Sequence, residues 1–251
     1  MVHFVGAGPG AADLITVRGA RLLEQADVVI YAGSLVSPVH LERTKPDCAV
    51  YNSAAMTLEQ VMDVMLPASR AGKSVVRLHT GDPSVFGAIR EQMDVLDAAG
   101  EPYEVCPGVS SFCGAAAALR AEYTLPGVSQ TVILSRMAGR TPVPERESVR
   151  ALAAHGSSMV LFLSAGMTEE LRDALLAGGY APDTPAAIVY KATWPEETVI
   201  RTTVGQLPQA AAENGITKTA LIAVGDFLGG DYDRSKLYDP SFAHGCREAQ
   251  T

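Results

Sequence analysis

Three short stretches of the chain concentrate the residues able to do chemistry, and each lies between an apolar run and a helical one. The first is Gly6-Ala7-Gly8-Pro9-Gly10-Ala11-Ala12-Asp13-Leu14, the second His79-Thr80-Gly81-Asp82-Pro83-Ser84-Val85-Phe86-Gly87, and the third Cys106-Pro107-Gly108-Val109-Ser110-Ser111. Glycine tolerates tight turns and lets a ligand approach the main chain closely, Asp82 offers a carboxylate, and Ser110 and Ser111 offer hydroxyls. Each stretch alone also has an ordinary explanation: Asp82 before Pro83 is a helix-start residue, and a serine before a helix is a cap. Read as letters, Gly6, Gly8 and Ala11 satisfy the dinucleotide pattern GxGxxG/A, so an NAD-dependent oxidoreductase stands as an alternative. Against it, Pro9 removes an amide from the turn that would hold a pyrophosphate. The second apolar run ends in Tyr31-Ala32-Gly33 without the acid a ribose needs, and Asp27 precedes that run.

The elements that must position these stretches follow from periodicity. His3 to Ala7, Val28 to Tyr31, Ser74 to Leu78 and Tyr103 to Cys106 read as strands. Thr16 to Gln25, Leu58 to Ala71, Ala88 to Ala99 and Ser110 to Ala121 read as helices, with Leu58, Val61, Met62 and Met65 on one face. Strands separated by helices favour a mainly parallel sheet covered on both sides, and loops beyond the carboxyl ends of its strands bind ligands. The three stretches therefore converge at one sheet edge. The Thr124-Leu125-Pro126-Gly127 break suggests a domain boundary, giving domains 1–124 and 125–251. Beyond it, Thr131 to Leu134, Met159 to Leu163, Ala186 to Tyr190, Thr198 to Thr203 and Leu221 to Val224 read as strands. Helices are expected near Glu145 to Ala154, Glu169 to Leu176 and Leu207 to Glu213. Val199 to Thr203 follows Tyr190 closely enough to be its hairpin partner, so the second sheet is expected to be mixed.

Composition narrows the function. With 47% hydrophobic and 19% charged residues, the 251-residue chain is globular, and its net charge of -8 argues against a nucleic-acid surface. No apolar run suggests a membrane span or signal peptide, so a cytoplasmic protein without a membrane partner is expected. Four cysteines without a CxxC pair and five histidines without an HxxxH pair indicate no protein-bound metal.

Taken together, Gly6 to Leu14 with Tyr31-Ala32-Gly33, Gly81-Asp82-Pro83 through Gly87, and Pro107 to Ser111 resemble the tetrapyrrole (corrin/porphyrin) methylase family. The resemblance runs from Val2 to about Tyr238. Within the family, Thr131 to Glu145, Tyr190-Lys191-Ala192-Thr193-Trp194-Pro195 and Arg234 to Asp239 resemble the branch acting on C11 of precorrin-4 or its cobalt form in cobalamin synthesis. The resemblance implies two α/β domains with the cofactor cleft between them, a homodimer, and S-adenosylmethionine as methyl donor with S-adenosylhomocysteine as product. It places Pro9, Gly81, Asp82, Val85, Ser110 and Ser111 on the cofactor, together with Leu163 and Ala192, where many relatives carry a methionine at the position of Leu163.

The implied donor is already a strong electrophile, so the protein mainly holds an electron-rich carbon in line with it, and no nucleophilic Ser or Cys is expected. An enclosed pocket with little water favours a reaction that disperses charge. The implied substrate carries carboxylates, so cations should meet it. Arg77, Arg136, Arg140 and Lys191 are the candidates, with His79 beside them, and Arg136 and Arg140 are preferred. Arg146 and Arg150 share a helix face with Glu145 and Glu147 and read as solvated. His79, Asp82, Tyr190 and Lys191 are each chemically able to take a proton, and no general base is chosen among them. The cofactor loops do not select the acceptor, so another corrin precursor, uroporphyrinogen III, or a non-catalytic tetrapyrrole carrier stays open.

Overall fold

Strands, helices and turns of the chain fall into two units in a computed structural model, which describes residues 1–243 and 245–248. The first unit comprises Met1–Ala118 with Lys191–Thr198, and the second Leu119–Tyr190 with the chain from Val199 on. Residues 191–198 thus group with the first unit, although the boundary read from Pro126-Gly127 would put them in the second domain.

In the first unit, β1 (Val2–Gly6), β2 (Val28–Tyr31), β3 (Ala49–Asn52), β4 (Val75–His79) and β5 (Tyr103–Cys106) form a sheet in the order β3-β2-β4-β1-β5. All its pairings are parallel. The connecting helices are α1 (Val17–Gln25), α2 (Leu58–Arg70), α3 (Arg90–Ala99) and α4 (Ser111–Leu119). Val5, Val29, Val76 and Leu78 face Leu23 of α1, while Phe4, Ile30 and Val75 pack with Met62 and Met65 of α2 and Leu96 of α3. Burial on both faces explains why these strands read as unbroken apolar runs. The helix starts are local: the Thr16 side chain accepts from the Gly19 amide, and Thr57 with Gln60 closes a capping box. Strand β3 was not expected from the sequence. It is a short edge strand with Val50 and Tyr51 exposed, so its four residues carry neither a buried run nor an alternation.

In the second unit, β6 (Val132–Arg136), β7 (Ser158–Phe162), β8 (Pro185–Tyr190), β9 (Thr198–Thr203) and β10 (Ala220–Val224) lie in the order β6-β7-β10-β8-β9. β6 runs parallel to β7, and β10 is antiparallel to β7 and β8, so the sheet is mixed as the sequence suggests. β9 is hydrogen-bonded beside β8. The core is Met159, Leu161, Ile188 and Ile222 against helices α5 (Val149–Ala153), α6 (Thr168–Gly178) and α7 (Leu207–Glu213). The helix expected over 145–154 divides: Glu145–Glu147 is a separate 3-10 turn, and the Ser148 hydroxyl accepts from the Ala151 amide to begin α5 anew.

Candidate functional site

The loops after β1, β4 and β5 meet main chain to main chain. Gly8 and Gly81 form one antiparallel bridge, with Gly8 N donating to Gly81 O at 3.2 Å and Gly81 N to Gly8 O at 2.8 Å. Both take a left-handed conformation, φ 81° and 60°, which glycine adopts at little cost. A Cβ on Gly6 would lie 2.5 Å from the Gly81 carbonyl oxygen and 2.6 Å from Gly108 Cα. The end of β1 and the loops after β4 and β5 therefore pack main chain to main chain, with no room for a Cβ on Gly6 between them.

Asp82 locks two of these loops. Its Oδ2 accepts from Gly108 N at 2.8 Å, and its Oδ1 accepts from Ser84 N at 2.9 Å and from the Ser84 hydroxyl. Partial burial alone would push its carboxyl up, but the Ser84 and Gly108 donors outweigh that and hold it below the usual carboxylate range. The residue is a strut between loops and caps no helix, because α3 begins only at Arg90. In between, Val85 N donates to Asp82 O at 3.2 Å, and Phe86 and Ala88 sit at φ 56° and 49° with the Phe86 ring exposed. Such positive φ on non-glycine residues collects at functional sites. The Ser111 amide and hydroxyl approach Gly81, 3.2 and 3.3 Å from where its Cβ would stand, and Ser110 is buried beside it.

The turn after β1 is held a second time from residues 191–198. Ala11 N donates to the Thr193 hydroxyl at 3.0 Å, and the Trp194 indole N–H donates to Pro9 O at 3.1 Å. With Ala7 N bonded to His79 O and Gly8 N to Gly81 O, the amides at 7, 8 and 11 are spent inside the protein. A pyrophosphate nest needs them free, so the dinucleotide alternative loses its binding site.

Of the sequence candidates, Pro9, Gly81, Asp82, Val85, Ser110, Ser111 and Ala192 all lie on these loops of the first unit, with Ala192 buried between Lys191 and Thr193. Arg77 lies apart from these loops, within the first unit. Its buried guanidinium donates to Gln92 Oε1 at 3.1 Å and to Ile30 O at 3.2 Å, tying α3 to β2, and burial lowers its pKa to about 10. His79 is buried too, its ring tilted 6.2 Å from that of Phe4 and its Nε2 without a hydrogen-bond partner among the described residues. Burial, then the charge of Arg77, pushes its pKa down to about 3, so it is neutral at pH 7 and offers no charge to a carboxylate. Lys191 pairs with Glu196 at 3.2 Å and lies 5.0 Å over the Trp194 ring.

In the second unit, Arg136 is turned into its own loop. It donates to the carbonyls of Met137, Thr141 and Pro142 at 3.1, 3.2 and 2.9 Å. This brace leaves Arg140 exposed on the braced segment. Leu163 follows β7 with φ 53° and 60% of its surface exposed, a conformation that costs leucine about 1–2 kcal/mol. Sequence reasoning missed Thr193 and Trp194 as partners of the glycine-rich turn. Trp194-Pro195 marks the segment, but nothing in spacing pairs residue 194 with residue 9.

The chain matches the model of the "Tetrapyrrole (Corrin/Porphyrin) Methylases" over residues 1–208. It is 50% identical over 249 residues, 99% of this chain and 96% of the relative, to the cobalt-precorrin-4 C(11)-methyltransferase of Methanocaldococcus jannaschii. Among solved structures, a cobalamin biosynthetic enzyme, cobalt precorrin-4 methyltransferase, aligns with a TM-score of 0.89 at 49% identity, covering 91% of this chain and 96% of that one. Uroporphyrin-III C-methyl transferase from Thermus thermophilus, complexed with S-adenyl homocysteine, aligns at 0.76 with 28% identity, covering 91% and 93%.

Proposed function

Because the chain belongs to the tetrapyrrole (corrin/porphyrin) methylases, we propose that it transfers a methyl group from S-adenosylmethionine to C11 of cobalt-precorrin-4 in cobalamin synthesis. The observation that carries this reading is half-identity along nearly the entire chain to an enzyme named for that step. The close main-chain approach of Gly6, Gly81 and Gly108 brings the loops that carry the donor candidates together at one sheet edge, which fits the donor reading. A relative of the same fold is complexed with the demethylated product.

When bound, the donor supplies a methyl group on a sulfonium, electrophilic without further activation. The protein's part is placement. Pro9, Gly81, Asp82, Val85, Ser110, Ser111 and Ala192 are assigned to the donor, and Leu163 keeps its assignment from the family resemblance alone. Asp82 acts by fixing Gly81 and Gly108 through its bonds to Ser84 and Gly108. Holding two reactants in line can contribute several kcal/mol to catalysis, about 7 or more in the best cases. Arg140 is assigned to a substrate carboxylate, with Arg136 bracing the segment that carries it. The expected homodimer and cytoplasmic setting belong to the same proposal, and sedimentation of the purified chain tests the first.

The deciding experiment incubates the protein with methyl-labelled S-adenosylmethionine and, separately, cobalt-precorrin-4, metal-free precorrin-4 and uroporphyrinogen III. The label is then located by NMR and mass spectrometry. Label at C11 of the cobalt form supports the proposal. Preference for the metal-free ring would replace the substrate, and label at another carbon would replace the assignment.

A further inference from the structure

We propose that Thr193 and Trp194 are positioning residues that set the shape of the Pro9–Ala11 arc and, through it, the affinity for the methyl donor. The inference rests on the donor reading above. Three consecutive residues of the arc are each met by this one pair. The Pro9 carbonyl accepts from the Trp194 indole at 3.1 Å, and the Ala11 amide donates to the Thr193 hydroxyl at 3.0 Å. Gly10 lies against the indole so closely that a Cβ there would overlap the five-membered ring, 2.9 Å from its Cγ and nearer still to Cδ1 and Nε1. Gly10 is not among the residues with positive φ, so its lack of a side chain answers to the indole and not to backbone strain.

The pair is itself held rigidly. Lys191 and Thr193 both take positive φ, 47° and 68°, a conformation that side-chain-bearing residues keep only where their surroundings enforce it. Trp194 N donates to Lys191 O at 2.9 Å, Glu197 N to Trp194 O at 3.0 Å, and Thr193 N to Glu197 Oε2 at 2.6 Å. Lys191 lies over the indole face while paired with Glu196. A braced turn that reaches a glycine-rich arc through two hydrogen bonds and a ring acts as its template, and pre-organising a ligand loop raises affinity. Ala192, the residue assigned to the donor, sits between the two strained positions, so a single turn both faces the ligand and shapes the opposing arc.

The test measures calorimetric binding of S-adenosylhomocysteine together with kcat and KM for S-adenosylmethionine. Circular dichroism confirms folding of each variant. Trp194→Phe keeps a ring but loses the donor, and Thr193→Val loses the acceptor. Each is expected to raise Kd and KM together about 5- to 10-fold with kcat within about 2-fold, the size of one hydrogen bond. Thr193→Ser, which keeps the hydroxyl, should restore wild-type binding. Gly10→Ala should weaken binding about 10-fold or more in the wild-type background and add almost nothing to Trp194→Ala, because the obstacle is gone. Folded Trp194→Phe and Thr193→Val variants that bind like wild type, or additive effects of Gly10→Ala and Trp194→Ala, would overturn this inference alone. A wild-type protein that binds no S-adenosylhomocysteine would overturn the donor reading and this inference with it.

Discussion

Replacing Gly6 by alanine isolates the close approach of the three loops. Gly6 is not among the positive-φ residues, so an alanine backbone is tolerated there and the whole penalty comes from space. The new Cβ would stand 2.5 Å from Gly81 O, 2.6 Å from Gly108 Cα and 2.7 Å from Gly108 N, all main-chain atoms that cannot rotate away. Restoring ordinary contact at about 3.4 Å requires the loops after β4 and β5 to retreat by roughly 0.9 Å, and overpacking of this kind costs about 1–3 kcal/mol. The retreat also strains the Gly8–Gly81 bridge and the Asp82–Gly108 bond, each worth about 1 kcal/mol. For a loss near 2 kcal/mol, the thermal midpoint of a chain this size should fall by roughly 4–8 °C. Misplacing ligand groups by about 1 Å can cost on the order of 100-fold in activity, so S-adenosylhomocysteine affinity should fall well beyond what stability explains. Gly230→Ala, with nothing near its Cβ position and no positive φ, is the matched control and should change neither quantity. Calorimetry on Gly6→Ala that gave a dissociation constant within about 2-fold of wild type would refute the argument that these glycines form the donor's bed.

Three further outcomes follow from the geometry. Asp82→Ala removes the acceptor shared by Ser84 and Gly108 and should weaken S-adenosylhomocysteine binding about 10-fold; because the carboxyl is held below the usual range, wild-type affinity should persist on acidification until pH falls through that lowered value, as titration calorimetry across pH would show. Burial keeps folded His79 near pKa 3 against 6.5, so the unfolded chain takes the proton first. Stability should therefore fall as pH drops below about 6.5, by up to about 1.4 kcal/mol per pH unit from this group. His79→Phe should lessen that slope in urea unfolding at pH 7 and 5.5, leaving the same-signed share of buried His40; an unchanged slope counts against the account. Arg140→Ala should raise KM for the tetrapyrrole about 10-fold and leave S-adenosylhomocysteine binding intact, whereas a matching loss of product affinity would remove Arg140 from the substrate's carboxylates.

Much of this protein is written locally. The apolar runs at Val2–Gly6, Val28–Tyr31 and Val75–His79 and the glycine and proline turns after them are legible because each depends on neighbours a few residues away. The resemblance carried by those turns pointed to the family, and the order of strands and helices pointed to a mainly parallel sheet followed by a mixed one; both are observed. The tertiary structure alone decided which polar groups were already engaged. Arg77 and Arg136 look in the sequence like free cations, yet their guanidinium groups are committed to carbonyls that periodicity cannot identify. Strand β3 exists because β2 offers an edge, and four exposed residues encode no such demand. Trp194 and Pro9 stand 185 residues apart, and their hydrogen bond arises only when a strained turn is carried to a distant glycine-rich arc. Spacing along a chain reports backbone conformation and burial, but the pairing of a donor with an acceptor is a property of folded space.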